Sequence, residues 1–146
     1  MKRIMIHEQY CVGCGLCEVH CLVKHSRSKK IIKAYREQRD EIVPAVQVER
    51  LGYESFALQC RHCDDALCIE ACMTGALYRD PETGAVLCDT DRCVGCWMCI
   101  MVCDAGAIRR GPEGKVASKC DLCSGEEVPV CVENCPNEAL VLEDEE

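Results

Sequence analysis

The spacing of the cysteines constrains this chain more than any other feature of its sequence. The strings CVGCGLCEVHC and CVGCWMCIMVC, which begin at Cys11 and Cys93, share the spacing C-x2-C-x2-C-x3-C. Two further sets have the spacings C-x2-C-x4-C-x3-C and C-x2-C-x7-C-x3-C, so all four sets end in C-x3-C. In chain order, the four quartets are Cys11, Cys14, Cys17 and Cys21; Cys60, Cys63, Cys68 and Cys72; Cys93, Cys96, Cys99 and Cys103; and Cys120, Cys123, Cys131 and Cys135. Such repetition indicates one small structural unit that is used several times.

Metal binding accounts for these cysteines better than a disulfide framework does. The 146 residues include 17 cysteines, an odd number that would leave one without a disulfide partner. The start, MKRIMIHEQYC, has no apolar stretch long enough for a secretory signal, and no run approaches the ~18 apolar residues of a membrane span. We therefore expect a cytoplasmic protein with reduced thiols. Because the chain has one Phe, one Trp and four Tyr, we expect bound metal to replace part of the apolar core.

The distribution of charge argues against a general nucleic-acid-binding protein. The net charge is -8, whereas affinity for nucleic acid depends on the neutralisation of phosphates by Lys and Arg. Residues 22–59 differ from the rest, since eight Lys or Arg against five Asp or Glu give this segment a net charge of +3. Two interpretations of the basic segment remain open: a solvated helix face or a docking surface for an acidic partner.

Turn and strand signals predict an α+β fold made of short elements. The turn sequences DPETG and GPEG are followed by AVLC and KVAS, which are typical of short strands in hairpins. Within residues 22–59, SKKIIKAYREQRDEI predicts a helix that ends near Pro44, and AVQVERLGYESFALQ predicts extended chain. We interpret this segment as an insertion between the first two quartets rather than as a separate domain.

The quartets favour iron–sulfur clusters over zinc. Zinc ribbons usually bring two separate cysteine pairs together, whereas three closely spaced thiolates on one loop can bind three corners of a cubane cluster. The spacing C-x2-C-x2-C-x3-C is the bacterial ferredoxin pattern, in which the fourth cysteine binds the other cluster of a pair. If the C-x3-C end is helical, Cys17 and Cys21 stand on one face and can bind two neighbouring clusters. A zinc-stabilised, cysteine-rich interaction module is the alternative hypothesis.

The number of cysteines also bears on catalysis. Sixteen of them can bind four 4Fe-4S clusters with four thiolates each, which leaves no iron with an open coordination site. The sequence has no Gly-rich dinucleotide fingerprint and no P-loop. We therefore predict a non-catalytic electron-transfer protein, and an oxidoreductase that acts alone is the weakest hypothesis.

The cysteine motifs carry a family resemblance over nearly the whole chain. The sequence resembles the four-cluster, ferredoxin-like electron-transfer subunits of anaerobic redox complexes, which include those of dimethyl sulfoxide reductase, formate dehydrogenases and hydrogenases. The strings FALQCRHCDDALC, CVGCWMCIMVC and VASKCDLC most resemble the iron–sulfur protein associated with carbon monoxide dehydrogenase. Relatives of that protein also serve flavin-dependent NAD(P) oxidoreductases and tungsten aldehyde oxidoreductases. The resemblance implies a catalytic oxidoreductase subunit as one partner, and a flavin-dependent oxidoreductase or a soluble ferredoxin as the second.

The resemblance also implies how the quartets combine. In the family pattern, the first quartet pairs with the fourth and the second with the third, and each pair exchanges its last cysteines. The implied cluster ligands are Cys11, Cys14, Cys17 and Cys135; Cys120, Cys123, Cys131 and Cys21; Cys60, Cys63, Cys68 and Cys103; and Cys93, Cys96, Cys99 and Cys72. Residues 1–21 and 111–146 would then form an outer two-cluster module, 60–110 an inner one, and 22–59 the insertion between them.

Several residues in or near the quartets are not expected to bind iron. Cys88 belongs to none of the quartets, and we expect it to be a buried apolar residue on a strand. With sixteen cysteines available, His20 and His62 are expected beside the clusters or at the surface rather than as ligands. Trp97 is expected to shield a cluster. Of the four quartets, only the last is followed by proline, after Cys135, and we expect ligation to survive the absence of proline elsewhere.

Overall fold

The computed structural model describes residues 1–111 and 113–144 and has the small α+β fold that the sequence predicts. The helices are α1 Leu16–His25, α2 Ile31–Gln38, α3 Leu67–Glu70, α4 Met98–Val102 and α5 Val130–Glu133. The strands are β1 Lys2–Ile6, β2 Gln47–Leu51, β3 Glu54–Leu58, β4 Leu77–Arg79, β5 Val86–Cys88, β6 Arg109–Arg110, β7 Val116–Ser118 and β8 Leu140–Asp144. The strands form antiparallel pairs in the combinations β1–β8, β2–β3, β4–β5 and β6–β7.

The strand pair β1–β8 joins the two ends of the chain. Its register runs from Lys2 opposite Asp144 to Ile6 opposite Leu140. Ile4 and Leu140 point into the core, where they are 4% and 2% exposed. Because strand side chains alternate between two faces, Met5, which follows Ile4, points the other way and is 41% exposed. This pair therefore brings the fourth quartet, which precedes β8, close to the first quartet, which follows β1.

Residues 22–59 contain the last four residues of α1, then α2, and the hairpin β2–β3. The predicted helix is present but ends at Gln38, six residues before Pro44. The side chain of Gln38 is buried, and its Oε1 accepts a hydrogen bond of 2.8 Å from the backbone N–H of Arg27. This contact fixes the end of α2 against the loop after α1, and the chain turns there before the proline can affect it. The predicted extended chain is confirmed as the hairpin.

The two hairpins predicted from turn signals are also present. Strand β5 coincides with most of the string AVLC and pairs with β4, and strand β7 coincides with most of KVAS and pairs with β6. Cys88 lies on a strand, at the end of β5, as expected, but it is partly exposed rather than buried because it is the last residue of this short strand. Pro112, in the second turn signal, lies outside the described residues.

Apolar packing occurs in two clusters. The first combines β1, β8 and the hairpin β2–β3 with buried cysteines; its buried members are Ile4, Cys17, Cys21, Val46, Ala57, Cys131 and Leu140. The second has the buried members Leu77, Cys99 and Ile108. Val46 and Ala57 come from the predicted insertion, which thus packs against the first and fourth quartets. In residues 1–111 and 113–144, no helix has both the length and the hydropathy that a membrane crossing requires.

Candidate metal centres

All seventeen cysteines lie in the described part of the chain. Eleven are at least partly exposed, whereas Cys17, Cys21, Cys99, Cys120, Cys123 and Cys131 are buried. Within the described residues, 1–111 and 113–144, no group of three His, Cys, Asp or Glu side chains is arranged as the ligands of a single metal ion. The thiols are instead distributed in groups on loops and short helices, as described below.

The first C-x2-C pair of every quartet lies on a loop with the same backbone feature. The residue before the second cysteine has a positive φ in each case: +66° at Gly13, +48° at His62, +72° at Gly95 and +55° at Leu122. Glycine adopts this left-handed conformation easily, but a residue with a side chain does so at a cost of roughly 1–2 kcal/mol. Four sequences of different composition therefore share a left-handed residue at the same position of the loop. The equivalence of His62 and Leu122 to the two glycines is not visible in the sequence.

The C-x3-C end of every quartet lies on or beside a short helix. Cys17 and Cys21 both lie in α1, one helical turn apart, and both are buried. In the other three quartets, the first of the two cysteines lies in a helix and the second follows within two residues of its end. The helical geometry predicted for this spacing is thus present, although three of the four helices are only four or five residues long.

The thiols of the first quartet meet one thiol of the fourth. A pocket is lined by Cys11, Cys14, Cys17 and Cys135, together with apolar side chains of the first core cluster. Burial is the main cause that raises the pKa of Cys17 to about 12, and the neighbouring thiols of Cys14 and Cys11 contribute. The Sγ atom of Cys135 accepts a hydrogen bond of 3.2 Å from the backbone N–H of Ala139.

The remaining thiols of the fourth quartet meet the last cysteine of the first. Burial raises the pKa of Cys131, and the thiols of Cys120, Cys21 and Cys123 raise it further. Burial likewise raises the pKa of Cys120 to about 12. The Sγ atom of Cys21 accepts a hydrogen bond of 3.3 Å from the backbone N–H of Ala45.

The second and third quartets also share thiols. A second pocket is lined by Cys60, Cys63, Cys68 and Cys103, so that the last of these comes from the third quartet. Burial raises the pKa of Cys68, and Cys60 and Cys103 are among the thiols that contribute.

Cys72, the last cysteine of the second quartet, packs with Cys93 and Cys99 of the third in the second core cluster. Cys96 lies in the same loop as Cys93 and is exposed. Cys88 is a fifth thiol in this neighbourhood. Burial raises its pKa to about 11, and the thiols of Cys93, Cys99 and Cys72 contribute. The structure therefore brings together thiols from different quartets, although ligation by particular cysteines stays a prediction.

Buried hydrogen-bond donors provide an independent test of whether iron–sulfur clusters fit these loops. The Nε2 atoms of Gln59 and His62 and the Nε1 atom of Trp97 are buried and have no hydrogen-bond partner within the described residues. Each of these residues lies inside a quartet or next to its first cysteine. Buried polar groups normally have partners, and the sulfur atoms of a cluster are acceptors that such donors can use. The donor set of these loops thus fits a sulfur-rich acceptor and thiolate ligation.

Trp97 and His62 differ in how far they are exposed to solvent. Trp97 is partly exposed, and the guanidinium of Arg110 lies 4.0 Å from the centroid of its ring. His62 is 1% exposed, and its Nδ1 accepts a hydrogen bond of 3.0 Å from the backbone N–H of Val86. Burial, followed by the charge of Lys119, lowers the pKa of His62 to about 3, so the ring is neutral and keeps its proton on Nε2.

Two cationic side chains near the thiols were not identified from the sequence. The Nζ of Lys119 lies 3.0 Å from the Sγ of Cys60. The Nδ1 of His25 lies 3.9 Å from the Sγ of Cys21, and its Nε2 lies 3.5 Å from a carboxylate oxygen of Asp121. The pKa of His25 is raised to about 11, first by Asp121 and then by Cys21. Lys119 precedes a quartet directly in the sequence, but Cys60 lies 59 positions away, so only the fold reveals the contact.

These loops, helices and donors define a small ferredoxin-like iron–sulfur protein with several 4Fe-4S centres. The family model described as a 4Fe-4S dicluster domain matches residues 51–145. Since the match covers more than half of the chain, the chain belongs to this family.

Individual relatives agree with this assignment. The chain is similar to PhsB, the thiosulfate reductase electron transfer subunit of Salmonella typhi, with 36% identity over 146 residues and coverage of 95% of this chain and 74% of PhsB. Its identity to the protein NrfC of Escherichia coli (strain K12) is 35% over 144 residues, which cover 93% of this chain and 62% of NrfC. A match to AegA of the same strain, at 32% identity, covers 97% of this chain but 22% of AegA.

The fold itself has a counterpart of known structure. The active site complex BamBC of benzoyl coenzyme A reductase contains a chain that is similar to this one with a TM-score of 0.53 and 23% identity. The similarity covers 98% of this chain and 76% of that chain.

Proposed function

We propose that this chain is an electron-transfer subunit that conducts single electrons through four 4Fe-4S clusters, between a catalytic oxidoreductase subunit and a second redox protein. When bound, the clusters supply one-electron redox chemistry. The chain's own residues hold them, screen them from water and donate hydrogen bonds to sulfur. The observation that carries the proposal is the pocket in which Cys135 accompanies Cys11, Cys14 and Cys17, because exchange of last cysteines is typical of paired clusters.

The proposed ligands are all sixteen quartet cysteines, in four crossed sets. The outer sets are Cys11, Cys14, Cys17 and Cys135, and Cys120, Cys123, Cys131 and Cys21. The inner sets are Cys60, Cys63, Cys68 and Cys103, and Cys93, Cys96, Cys99 and Cys72. Four thiolates per cluster leave no iron open to a substrate, and this supports a role in electron transfer without catalysis.

Each crossed pair would form one two-cluster module. The outer module comprises residues 1–21 and 111–146, and the inner one residues 60–110. The strand pair β1–β8 supports an outer module made from both chain ends. The proposed boundary between the outer module and the segment 22–59 falls within α1, and Val46 and Ala57 of that segment pack with Cys17 and Cys21. We therefore propose that segment 22–59 is a structural part of the outer module's core.

The partner would be a multi-subunit oxidoreductase in a reducing compartment such as the cytoplasm. PhsB is an electron transfer subunit of thiosulfate reductase by name, and similarity to it supports a subunit role for this chain. The partner classes suggested by sequence resemblance are carbon monoxide dehydrogenase, tungsten aldehyde oxidoreductase, formate dehydrogenase or hydrogenase. Copurification from the native organism under anoxic conditions identifies which catalytic subunit binds.

Metal analysis of anaerobically prepared protein tests the proposal. We expect about sixteen irons and sixteen acid-labile sulfides per chain, from four clusters of four irons each. The Cys88→Ala variant serves as a matched control, since it removes a cysteine outside the quartets and should leave these contents unchanged. A preparation rich in zinc and free of sulfide would instead support the zinc-stabilised interaction module and contradict electron transfer.

Electron paramagnetic resonance (EPR) tests the crossed pairing. Cys135→Ala should perturb the same cluster signal as Cys11→Ala, although these positions lie at opposite ends of the chain. Cys21→Ala should perturb the signal that depends on Cys120. If Cys135→Ala and Cys120→Ala perturb one common signal and leave the Cys11 signal unchanged, each quartet binds its own cluster and the crossing is wrong.

A further inference from the structure

The ammonium group of Lys119 makes a direct contact with a thiol of the inner module. Its Nζ lies 3.0 Å from the Sγ of Cys60, a hydrogen-bonding distance to sulfur, and both side chains are partly buried. The charge of Lys119 also acts on Cys68, which lines the same pocket as Cys60. A fixed positive charge therefore lies beside the group of thiols that would bind one particular cluster.

The strand β5 fixes the position of this charge. The Nζ of Lys119 also donates a hydrogen bond to the backbone carbonyl of Val86. Val86 is completely buried, and its N–H donates to His62, which lies in the second quartet between Cys60 and Cys63. One buried residue of a hairpin thus holds both the lysine and the histidine against the same cysteine loop. The lysine cannot move away from Cys60 without losing its bond to the sheet.

We propose that Lys119 raises the reduction potential of the cluster that is bound by Cys60, Cys63, Cys68 and Cys103. The inference rests on the proposed function, since it presupposes a cluster at these thiols. Reduction adds one electron, supplied by the redox partner, and no bond is made or broken. The reduced centre carries one more negative charge than the oxidised centre, so a nearby cation stabilises it more strongly. Hydrogen bonds to sulfur act in the same direction and are among the determinants of cluster potential.

A second cation that contacts a thiol, His25, provides a comparison within the molecule. His25 contacts the Sγ of Cys21 at 3.9 Å, and the carboxylate of Asp121 lies 3.5 Å from its other ring nitrogen. Lys119 is closer to its thiol, and its second hydrogen bond goes to a neutral carbonyl. Because an adjacent carboxylate offsets the charge of a cation, Lys119 should affect its cluster more than His25 affects the cluster of the outer module.

Redox titration followed by EPR tests the role of Lys119. Lys119→Met removes the charge and keeps most of the side-chain volume, and Lys119→Arg keeps the charge. Lys115→Met is the matched control, because the Nζ of Lys115 contacts the carbonyl of Thr90 at 3.1 Å and is exposed. We expect Lys119→Met to lower the equilibrium constant for reduction of one cluster at least tenfold, which is about 59 mV for one electron. Lys119→Arg should shift it less, and Lys115→Met should leave it unchanged.

The shifted signal should be the one that Cys60→Ala also perturbs. A shift in a different cluster, or a Lys119→Met potential equal to that of Lys115→Met, would overturn the proposal. Iron and sulfide are measured first, since wild-type protein without them contradicts the proposed function itself rather than the role of this lysine.

A measurement on the wild-type protein keeps the proposal testable if Lys119→Met fails to assemble its clusters. Lysine labelled with 15N only at Nζ is incorporated, and the reduced protein is studied by electron spin echo envelope modulation. We expect a 15N coupling to one reduced cluster, and its disappearance in Lys119→Arg. A wild-type spectrum without such a coupling would overturn the contact and the proposal with it.

Discussion

The outer and inner regions of this molecule use the same cysteine loops but differ in how much apolar structure surrounds them. We define the outer region as β1, α1, β2, β3, α5 and β8, and the inner region as α3, β4, β5, α4, β6 and β7. Strand β7 is counted with the inner region because it pairs with β6, although residues 111–146 otherwise belong to the proposed outer module. The two strand pairs of the outer region each have five residues per strand, whereas those of the inner region have two or three.

The outer region also has the larger apolar core. In the outer region, Ile4, Val46 and Leu140 are all less than 5% exposed and surround the thiols. In the inner region, Leu77 and Ile108 are the apolar residues buried beside Cys99, and the other members of the cluster are mainly partly buried cysteines. Small domains without enough apolar burial depend on metal or other cross-links for stability. The inner region should therefore depend on its clusters more than the outer region does.

Loss of the clusters should produce the largest difference in stability between the inner and outer regions. On anaerobic chelation or controlled oxidation, we expect the chain to unfold, and the inner region should lose amide protection before the outer region. Hydrogen–deuterium exchange followed by mass spectrometry distinguishes peptides from β4–β5 and from β1–β8, with untreated protein as the control. A compact cluster-free protein with native-like spectra would contradict the dependence on metal, and earlier loss of protection in β1–β8 would reverse the comparison.

The two CVGC loops allow the next test, because their glycines have nearly the same φ but different surroundings. A Cβ at Gly95 would lie 1.9 Å from the carbonyl oxygen of Gly114, whereas one at Gly13 would lie 3.1 Å from side-chain atoms of Ser55. We expect Gly13→Ala to lower the free energy of unfolding by about 1–2 kcal/mol, the ordinary cost of the left-handed conformation. Gly95→Ala should cost about 3 kcal/mol or more, because the backbone must also move. Anoxic urea titration measures both, and equal losses would show that the contact with Gly114 is relieved without cost.

A substitution in the outer core tests whether apolar packing stabilises that region independently. Val46 is 1% exposed, and Val46→Ala removes two methyl groups, so we expect a loss of about 2 kcal/mol. Val128→Ala is the control at a position that is 41% exposed, where the loss should be below about 0.5 kcal/mol. The measurement is the urea midpoint of cluster-loaded protein. If both variants unfold at the wild-type midpoint, the clusters alone determine the stability of the outer region.

Removal of the contact between Arg110 and Trp97 should have the smallest effect on the free energy of unfolding. The guanidinium lies 4.0 Å from the ring centroid, and a partly exposed cation–π contact stabilises by about 0.5–1 kcal/mol. We expect Arg110→Gln to lower the free energy of unfolding by this amount, and Arg39→Gln, at an exposed position just after α2, to have no measurable effect. Equal midpoints for the two variants would mean that the ring contact does not stabilise the inner region.

The sequence by itself determined the chemistry of this protein and most of its local structure. The spacing of sixteen cysteines predicted iron–sulfur ligation, since few other cofactors use so many thiolates at such short intervals. The turn signals predicted the hairpins β4–β5 and β6–β7, because Pro fixes φ at a value that suits a turn and Gly adopts positive φ without steric cost. The C-x3-C spacing predicted helical turns at the ends of the quartets, which are present even where the helix has four residues.

The tertiary structure decided which groups lie beside one another across long separations in the sequence. No local signal relates Lys119 to Cys60, because this contact depends on how distant segments pack. The proximity of Cys135 to Cys11 was implied by the family resemblance rather than by a local signal, and it depends on the pairing of β1 with β8. The left-handed backbone conformation of His62 could not be predicted from the sequence either, since local propensity disfavours it and the surrounding loop imposes it. Spacing specifies which atoms can bind a cluster. The charges and hydrogen-bond donors that surround the cluster are set by packing, which the linear sequence does not encode in any short pattern.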